Sequence, residues 1–203
     1  MPRLRSRKED MTQARKVAIL VGSLRKGSYN RKMANALIKM GIPGVDLTIL
    51  EIGDLPLYNE DLDTDARPDT WTSFREALRS CAAVLFITPE YNRSVPGALK
   101  NAIDVGSRPY GKSAWQGKPG AVMSLSPGKM GAFGANQHLR QSLVFLNVPA
   151  MAQPEAYIGG AAKLFDDAGD LVDDGTRAFL QEFMKAFAAW IDMFVSRQTV
   201  EQG

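Results

Sequence analysis

The sequence predicts an α/β fold, a doubly wound five-stranded parallel sheet with helices on both faces. Two observations support this prediction. Short apolar runs alternate along the chain with segments in which apolar residues recur at helical spacing. Two of these runs are apolar throughout, which is typical of parallel strands that are buried on both faces. Helices between parallel strands form right-handed crossovers, and five such units favour the strand order 2-1-3-4-5.

Five segments are predicted to be strands. Two are apolar at every position, one is apolar except for Ser124, one alternates apolar with polar residues, and the fifth is a short apolar run. In this strand order a ligand binds beyond the carboxyl ends of the strands, where strands 1 and 3 adjoin, so the loops after strands 1, 3 and 4 should carry the chemistry. The predicted strands are Val17–Val21, a strand through Val45, Leu47 and Ile49, Ala82–Ile87, Ala121–Leu125 and Val148–Met151.

The segments between the strands predict amphipathic helices, because their apolar residues recur at intervals of three and four. A long polar connection follows the second strand, and Asp166–Asp170 predicts a turn. The predicted helices are Arg31–Met40, one through Trp71, Phe74 and Leu78, one through Leu99, Ala102 and Ile103 that begins near Pro96, one over about Gly134–Leu146, and one over about Thr176–Ser196.

The charge distribution divides the chain into a basic tail, residues 1–15, and one folded domain, residues 16–198. Residues 1–16 hold six basic and two acidic groups, while the remaining 19 basic and 20 acidic groups leave the domain close to neutral. We expect the tail to be disordered, as a leader, a misassigned start or an expression remnant. Contact with nucleic acid or an anionic surface is the alternative for such a tail.

Composition excludes several classes of protein. No apolar run approaches the ~20 residues of a membrane helix, and no apolar stretch follows the basic start as in a secretory signal. Cys81 is the single cysteine, so the chain forms no internal disulfide, and no cluster of cysteine and histidine predicts a metal site. No basic patch with interleaved aromatic residues predicts nucleic-acid binding in the domain. We therefore expect a cytoplasmic protein that acts on small molecules.

The loop after the first strand, Gly22–Asn30, is rich in glycine and hydroxyl groups and leads into a helix. Backbone N–H groups at a helix start attract phosphate, and Ser23, Ser28 and Asn30 add donors, while Arg25 offers a charged contact. The alternative is an ordinary turn in which Ser28 or Asn30 caps the helix. The loop matches neither the Walker A pattern nor the dinucleotide pattern GxGxxG, so a bound phosphate would belong to a mononucleotide.

Two further loops are expected at the same edge of the sheet. In Thr88–Gly97, two prolines fix the backbone, and Tyr91 and Asn92 offer a flat surface with polar edges; a rigid connection with Tyr91 packed for stability is the alternative. In Ser124–Gly134, three glycines within seven residues allow close approach of the backbone to a ligand. A crevice with a phosphate end and a flat end fits a flavin mononucleotide.

Three segments, GSLRKGSYNR, TPEYNRSVPGALKNAID and SPGKMGAFGANQHLRQSLVFL, resemble the NADPH-dependent FMN reductase family. Within it they resemble the bacterial quinone and chromate reductases and the related ferric reductase B. The resemblance runs from about Val17 to Phe194, and the paired patterns GSxRxxSxN and PEYNxSxPGxLKNAID are highly specific together. One departure is Val105, which stands where many relatives have tryptophan.

This resemblance implies a flavodoxin-like fold, FMN as cofactor and NADPH or NADH as electron donor. It also implies a homodimer or homotetramer with the flavin near a subunit contact, for which the helices carrying Leu99–Ile103 and Leu139–Leu146 are candidates. The cofactor contacts that it implies are Ser23, Arg25, Ser28, Tyr29 and Asn30 around the phosphate, Pro89, Glu90, Tyr91, Asn92 and Ser94 along the isoalloxazine and ribityl groups, and Ser126 and Gly128 on the third wall.

The expected activity is FMN-dependent reduction of quinones and similar acceptors, such as chromate, ferric chelates and azo compounds, by NAD(P)H. We expect a ping-pong cycle in which a hydride passes from nicotinamide C4 to flavin N5 before the acceptor takes the same place. No catalytic side chain is assigned. Arg108 and Arg93 are candidates for binding an anionic group of a substrate, and each could instead be a solvated surface arginine.

Two other functions stay open at this point. The main alternative is an electron carrier of flavodoxin type, and the second is a regulatory protein that has kept the fold and lost the flavin. His138, the single histidine, is interpreted as structural or interfacial, and Cys81 as buried and inert.

Overall fold

The computed structural model describes residues 14–201 and confirms the predicted doubly wound sheet. All four strand pairings are parallel, and the strand order is β2-β1-β3-β4-β5. The strands are β1 (Arg15–Val21), β2 (Val45–Ile49), β3 (Ala83–Thr88), β4 (Gly120–Leu125) and β5 (Ala156–Ile158), and the helices are α1 (Tyr29–Met40), α2 (Asp69–Arg79), α3 (Gly97–Gly106), α4 (Phe133–Phe145) and α5 (Asp174–Glu201).

Two hydrophobic cores lie on opposite faces of the sheet. On one face, Ile19 packs with Leu37 of α1 and Phe187 of α5. On the other face, Leu20 packs in a core formed with helices α2, α3 and α4. Alternate residues of the same strand thus enter different cores, which is why the central strands read as continuous apolar runs. No helix among the described residues is both long enough and apolar enough to span a bilayer.

The fifth strand lies elsewhere than predicted. The apolar run Val148–Met151 is buried at its two ends, but it forms only one bridge to the sheet, between Ala150 and Gly120 at the start of β4. Pro149 has no N–H group with which to continue a ladder. The strand is instead Ala156–Ile158, which pairs with the carboxyl-terminal half of β4.

The boundary of the folded part also differs slightly from the prediction. Strand β1 begins at Arg15, the last residue assigned to the tail, where Arg15 pairs with Val45 of β2. The predicted disorder of the tail otherwise concerns residues that lie almost entirely outside those described. Asp166–Asp170 forms the predicted turn, closed by backbone hydrogen bonds between the two end residues and from Gly169 to Asp166.

The long connection between β2 and α2 is held against two helices by buried polar contacts. Arg75 of α2 forms two hydrogen bonds to the Asp63 carboxylate at 2.8 and 2.9 Å and a third to the Val105 carbonyl at 2.8 Å. Asn101 of α3 accepts from the Tyr58 amide and donates to the carbonyls of Leu55 and Pro56. This connection is thus ordered by side chains far from it in sequence.

Candidate functional site

Three loops meet at the carboxyl edge of the sheet, as the strand order requires. Val21 lies beside Ile87, and Thr88 lies beside Ser124, so the loops after β1, β3 and β4 leave the sheet side by side. The first two loops also approach each other closely. A Cβ on Gly22 would lie 3.0 Å from the Thr88 hydroxyl and 3.2 Å from Pro89, so this position has little room for a side chain.

The loop after β1 leads into the start of α1, whose first turn contains no acidic residue. Ser28 caps α1, because its hydroxyl oxygen accepts from the Arg31 amide at 3.2 Å. The cap prediction and the phosphate prediction are compatible, since the Ser28 hydroxyl hydrogen can still be donated. The amides of Tyr29 and Asn30 are the first two of the helix and have no intrahelical acceptor. Ser23 lies in the same loop and is buried.

Asn30 links the first loop to the third. Its side-chain amide nitrogen lies 3.5 Å from the Leu125 carbonyl oxygen at the end of β4. Its Oδ1 atom is buried and has no hydrogen-bond partner among the described residues. A buried acceptor without a donor destabilises a protein unless something else supplies the donor. Asn30 therefore points to a bound group that carries N–H or O–H, as the ribityl chain of FMN does.

Arg25 and Tyr29 lie together at the outer side of the first loop. The Arg25 guanidinium is exposed, donates to the Gly27 carbonyl at 3.2 Å and lies 5.6 Å from the centre of the Tyr29 ring. The Tyr29 ring also stacks on Phe165, with 6.4 Å between the ring centres, so its side chain is held between Arg25 and Phe165. Arg31, which the sequence analysis did not single out, is paired with Glu51 at 2.5 Å, and this pair lowers the pKa of the Glu51 carboxyl.

The loop after β3 contains a tight turn with strained backbone. Tyr91 and Ser94 exchange both backbone hydrogen bonds, at 2.9 and 3.0 Å. The two central residues, Asn92 and Arg93, have φ angles of +52° and +65°, as a type I′ turn requires. Arginine adopts this left-handed conformation rarely, and such strain is concentrated at functional sites. The side chain of Tyr91 is half exposed rather than packed for stability, which disfavours the alternative reading of this loop.

Glu90 joins the second loop to helix α4. Its carboxylate accepts from the Ala135 amide at 3.1 Å, near the positive start of the helix. A Cβ on Gly134 would lie 2.9 Å from the same carboxylate, so a side chain there would push it away. Because its side chain is used in this way, Glu90 presents its backbone, rather than its carboxylate, to a ligand in the crevice.

A second contact from α4 holds the other end of this turn. The Ser94 hydroxyl and His138 Nδ1 lie 2.7 Å apart. His138 therefore has the structural role that the sequence analysis favoured for it, although its partner could not be identified there. Ser94 and His138 are 44 residues apart in the sequence, and Glu90 and Ala135 are 45 residues apart. Neither pair therefore leaves a local sequence pattern.

The loop after β4 is folded back on the segment that follows β5. The Ser126 hydroxyl donates to the Gly128 carbonyl at 3.2 Å, and the Ser126 backbone pairs with Ile158 and Ala161. Gly131 has a φ of +57°, and a Cβ there would lie 2.4 Å from the Tyr157 backbone, so only glycine fits. The structure thus brings Ser126 and Gly128 to the same edge as the first two loops.

The two candidate substrate arginines lie in different places. Arg93 is at the tip of the turn, with its side chain 85% exposed and 3.5 Å from the Glu90 carboxylate. Arg108 was expected to face the mouth of the crevice, but it follows the far end of α3, where the chain turns back toward the amino end of β4. Its guanidinium lies 6.0 Å from the centre of the Tyr58 ring. The contacts recorded for the Arg108 side chain are with Ser107 and the Tyr58 ring, and neither residue belongs to the three loops.

Comparisons with known proteins agree with this arrangement. The sequence model of one family, NADPH-dependent FMN reductase, matches residues 15–163. A quinone reductase from Pseudomonas putida is 62% identical over 183 residues, 90% of this chain and 98% of the relative. A 2-hydroxy-1,4-benzoquinone reductase from a Burkholderia species is 43% identical over 178 residues, 88% of this chain and 97% of the relative.

A solved structure is similar over the same length. It is that of the flavoenzyme NAD(P)H:(acceptor) oxidoreductase FerB from Paracoccus denitrificans, with a TM-score of 0.83 and 44% identity, and the match covers 89% of this chain and 99% of FerB. A flavodoxin from Pseudomonas aeruginosa, at 22% identity and a TM-score of 0.54, shares the fold alone. From these matches and the three convergent loops, the chain belongs to the NADPH-dependent FMN reductase family and is a flavoprotein oxidoreductase with FMN as its cofactor.

Proposed function

We propose that this protein is an FMN-dependent NAD(P)H:quinone oxidoreductase that works by a ping-pong cycle. The observation that carries the proposal is the convergence of a capped helix start, a strained turn and a glycine-containing loop at one edge of the sheet. Phosphate recognition needs the first of these, and an open flat surface for a ring needs the other two. Relatives named as quinone reductases, with identities up to 63%, support quinones as the acceptors.

The residues present fit FMN. We assign the phosphate to the α1 start, with donors from the backbone of Tyr29 and Asn30, the hydroxyls of Ser23 and Ser28, and the guanidinium of Arg25. The unpartnered Oδ1 of Asn30 accepts from the ribityl chain. The ring lies along the backbone of the second loop, whose contacts are Pro89, Glu90, Tyr91, Asn92 and Ser94, and Ser126 and Gly128 form the third wall.

When bound, FMN supplies the redox chemistry, taking a hydride from the nicotinamide and passing two electrons to the acceptor. The protein binds and orients. Backbone amides of the strained turn would face negative charge on a bound ring without reorganising, because contacts with α4 fix the turn at both ends. The one hydroxyl–imidazole pair described at the loops, Ser94 with His138, joins the turn to α4, so we assign the side chains at the loops a positioning and electrostatic role.

The range of acceptors follows from the openness of the crevice. The side chains of Tyr91 and Arg93 on the second loop are exposed to solvent. An acceptor can therefore lie flat over the flavin ring. We extend the proposal to chromate, ferric chelates and azo compounds on this ground, with Arg93 as the contact for anionic groups. Arg108 stays a candidate only if a second copy of the chain brings it to the crevice.

We also propose a homodimer or homotetramer. Val144 and Phe145 at the end of α4 are 81% and 83% exposed, an arrangement that a second copy would cover. This exposure supports the helix that carries Leu139–Leu146 as the candidate for the contact. Size-exclusion chromatography with light scattering, repeated on Phe145→Glu, tests it, and an unchanged oligomer in that variant excludes α4 from the contact.

Steady-state kinetics on FMN-loaded protein test the proposed function. With NADPH or NADH varied against benzoquinone, we expect turnover by the purified protein alone and parallel double-reciprocal lines. An electron carrier would show no sustained NADPH oxidation without a partner enzyme. A protein that has lost the flavin would remain colourless after incubation with FMN.

A further inference from the structure

A cavity of about 630 Å³ lies away from the three loops, beside the connection that leads from α3 into the amino end of β4. Three parts of the chain line it. Arg67 belongs to the connection before α2, and Arg79 is the last residue of α2. Lys112 and Lys118 belong to the connection before β4. The remaining lining residues are Pro109, Ser113, Ala114 and Gln116.

Positive charge dominates this cavity. Four of the eight lining residues are arginine or lysine, and none is acidic. Arg67 is paired with Asp63 at 3.6 Å and Asp65 at 3.8 Å, but for Arg79, Lys112 and Lys118 the structure records no carboxylate partner among the residues it describes. Like charges around one cavity repel one another, and a bound anion would relieve that repulsion.

Two of these cations are held in place by backbone carbonyls. Arg79 donates to the Lys112 carbonyl at 3.0 Å, and the Lys118 ammonium donates to the Cys81 carbonyl. Each keeps further N–H donors for a ligand, since an ammonium has three and a guanidinium five. Burial lowers the pKa of Lys118, so an anion beside it would also favour its charged form.

A second cavity of about 390 Å³ adjoins the first and shares Arg79, Gln116 and Lys118 with it. Its other lining is largely apolar. Cys81 and Ala82 directly precede β3, Pro119 precedes β4, and Phe194 and Val195 belong to the carboxyl-terminal part of α5. The shared cations therefore stand between the charged cavity and the largely apolar residues that complete the second one.

We propose that the two cavities form one binding site for a small carboxylate that carries a saturated apolar chain. Its carboxylate lies among Arg79, Lys112 and Lys118, and its chain lies along Pro119 and Phe194. A bare inorganic anion would leave the second cavity unfilled. An uncharged ligand would leave the cations unpaired. This site is separate from the three loops and does not depend on the flavin.

Calorimetric titration of hexanoate into FMN-loaded protein tests the proposal. We expect a dissociation constant below about 1 mM at low salt, weakening as ionic strength rises. Hexanamide, which has the same chain without the charge, and sulfate, which has charge without the chain, should each bind at least about tenfold more weakly. The visible spectrum of the flavin should not change, because the ligand does not occupy the crevice between the loops.

Variants identify the site. Arg79→Gln and Lys112→Ala alter exposed side chains, and each should weaken hexanoate binding by about fivefold with quinone reduction unchanged. Lys39→Ala is the matched control, since Lys39 is 72% exposed on α1 at the other face of the sheet, and it should bind as the parent does. Absence of hexanoate binding, hexanoate binding in both site variants as tight as in the parent, or sulfate binding as tight as hexanoate binding would each overturn the proposal.

Discussion

At the residue scale, Asn30 connects the folded structure to cofactor binding most directly. Its nitrogen reaches the Leu125 carbonyl while its oxygen stays buried and unpartnered. Replacing this amide by a carboxylate places negative charge beside the proposed phosphate site and removes the donor to Leu125. We therefore expect Asn30→Asp to weaken FMN binding by at least about tenfold, measured by quenching of FMN fluorescence on titration with apoprotein.

Asn30→Ser is the control, because it removes the amide without adding charge and should lose distinctly less affinity. Thermal unfolding of both apoproteins separates binding from folding. Equal FMN affinities in the two variants would mean that Asn30 does not face the phosphate.

Arg93 illustrates a conflict between stability and function at a single residue. Its φ of +65° costs a non-glycine residue roughly 1–2 kcal/mol, and glycine would regain part of that after its larger loss of chain entropy. We expect Arg93→Gly to raise the free energy of unfolding by about 0.5–1 kcal/mol in urea denaturation. Asn92→Gly should gain less, because asparagine tolerates this conformation. A destabilised Arg93→Gly would show that other contacts of Arg93 outweigh the strain.

At the element scale, helix α4 holds the second loop at two points. The Ala135 amide in its first turn donates to Glu90, and His138, one turn later, contacts Ser94. We expect His138→Phe to weaken FMN binding by about five- to tenfold, because Ser94 and the turn lose their anchor. In His138→Asn the amide can take the place of Nδ1 and should restore most of the affinity. Fluorescence titration of both variants measures this, and equal losses in the two would contradict the anchoring role.

The elements themselves were predicted from the sequence with one error. Strands buried on both faces leave largely apolar runs, so β1, β3 and β4 were found to within two residues at each end. A three-residue strand such as Ala156–Ile158 is too short for any pattern, and the apolar run Val148–Met151 imitates one. The positions of Glu90, His138 and Arg108 depend on tertiary contacts, which no local pattern encodes.

At the scale of the whole molecule, the buried pair Asp63–Arg75 fixes the long connection across α2 and α3. The Arg75 guanidinium lowers the pKa of the Asp63 carboxyl, and both side chains are less than 5% exposed. Because the folded-state pKa is depressed, the pair's contribution is present above the ordinary aspartate pKa of about 4 and is lost as the pH falls below it. We expect Asp63→Asn to lower the free energy of unfolding by about 3 kcal/mol at pH 7, because it leaves the buried charge of Arg75 unpaired.

The same variant has a distinct pH signature. Urea denaturation at pH 7 and between pH 4 and 3 should show a smaller loss of stability on acidification in Asp63→Asn than in the parent. Asp65→Asn is the control, because Asp65 is fully exposed and its pair with Arg67 is long, at 3.8 Å. The same acid dependence in Asp63→Asn and the parent would exclude Asp63 as a source of it.

The family assigns the chemistry to FMN, and the strand order and the side-by-side loops support our proposal that FMN is held at the carboxyl edge of the sheet. Anaerobic rapid mixing of FMN-loaded protein tests this claim most directly. We predict that NADPH bleaches the flavin absorbance completely and that one equivalent of benzoquinone then restores it, in two separable steps. A flavin that NADPH leaves oxidised, or an apoprotein that takes up no FMN, would contradict the account.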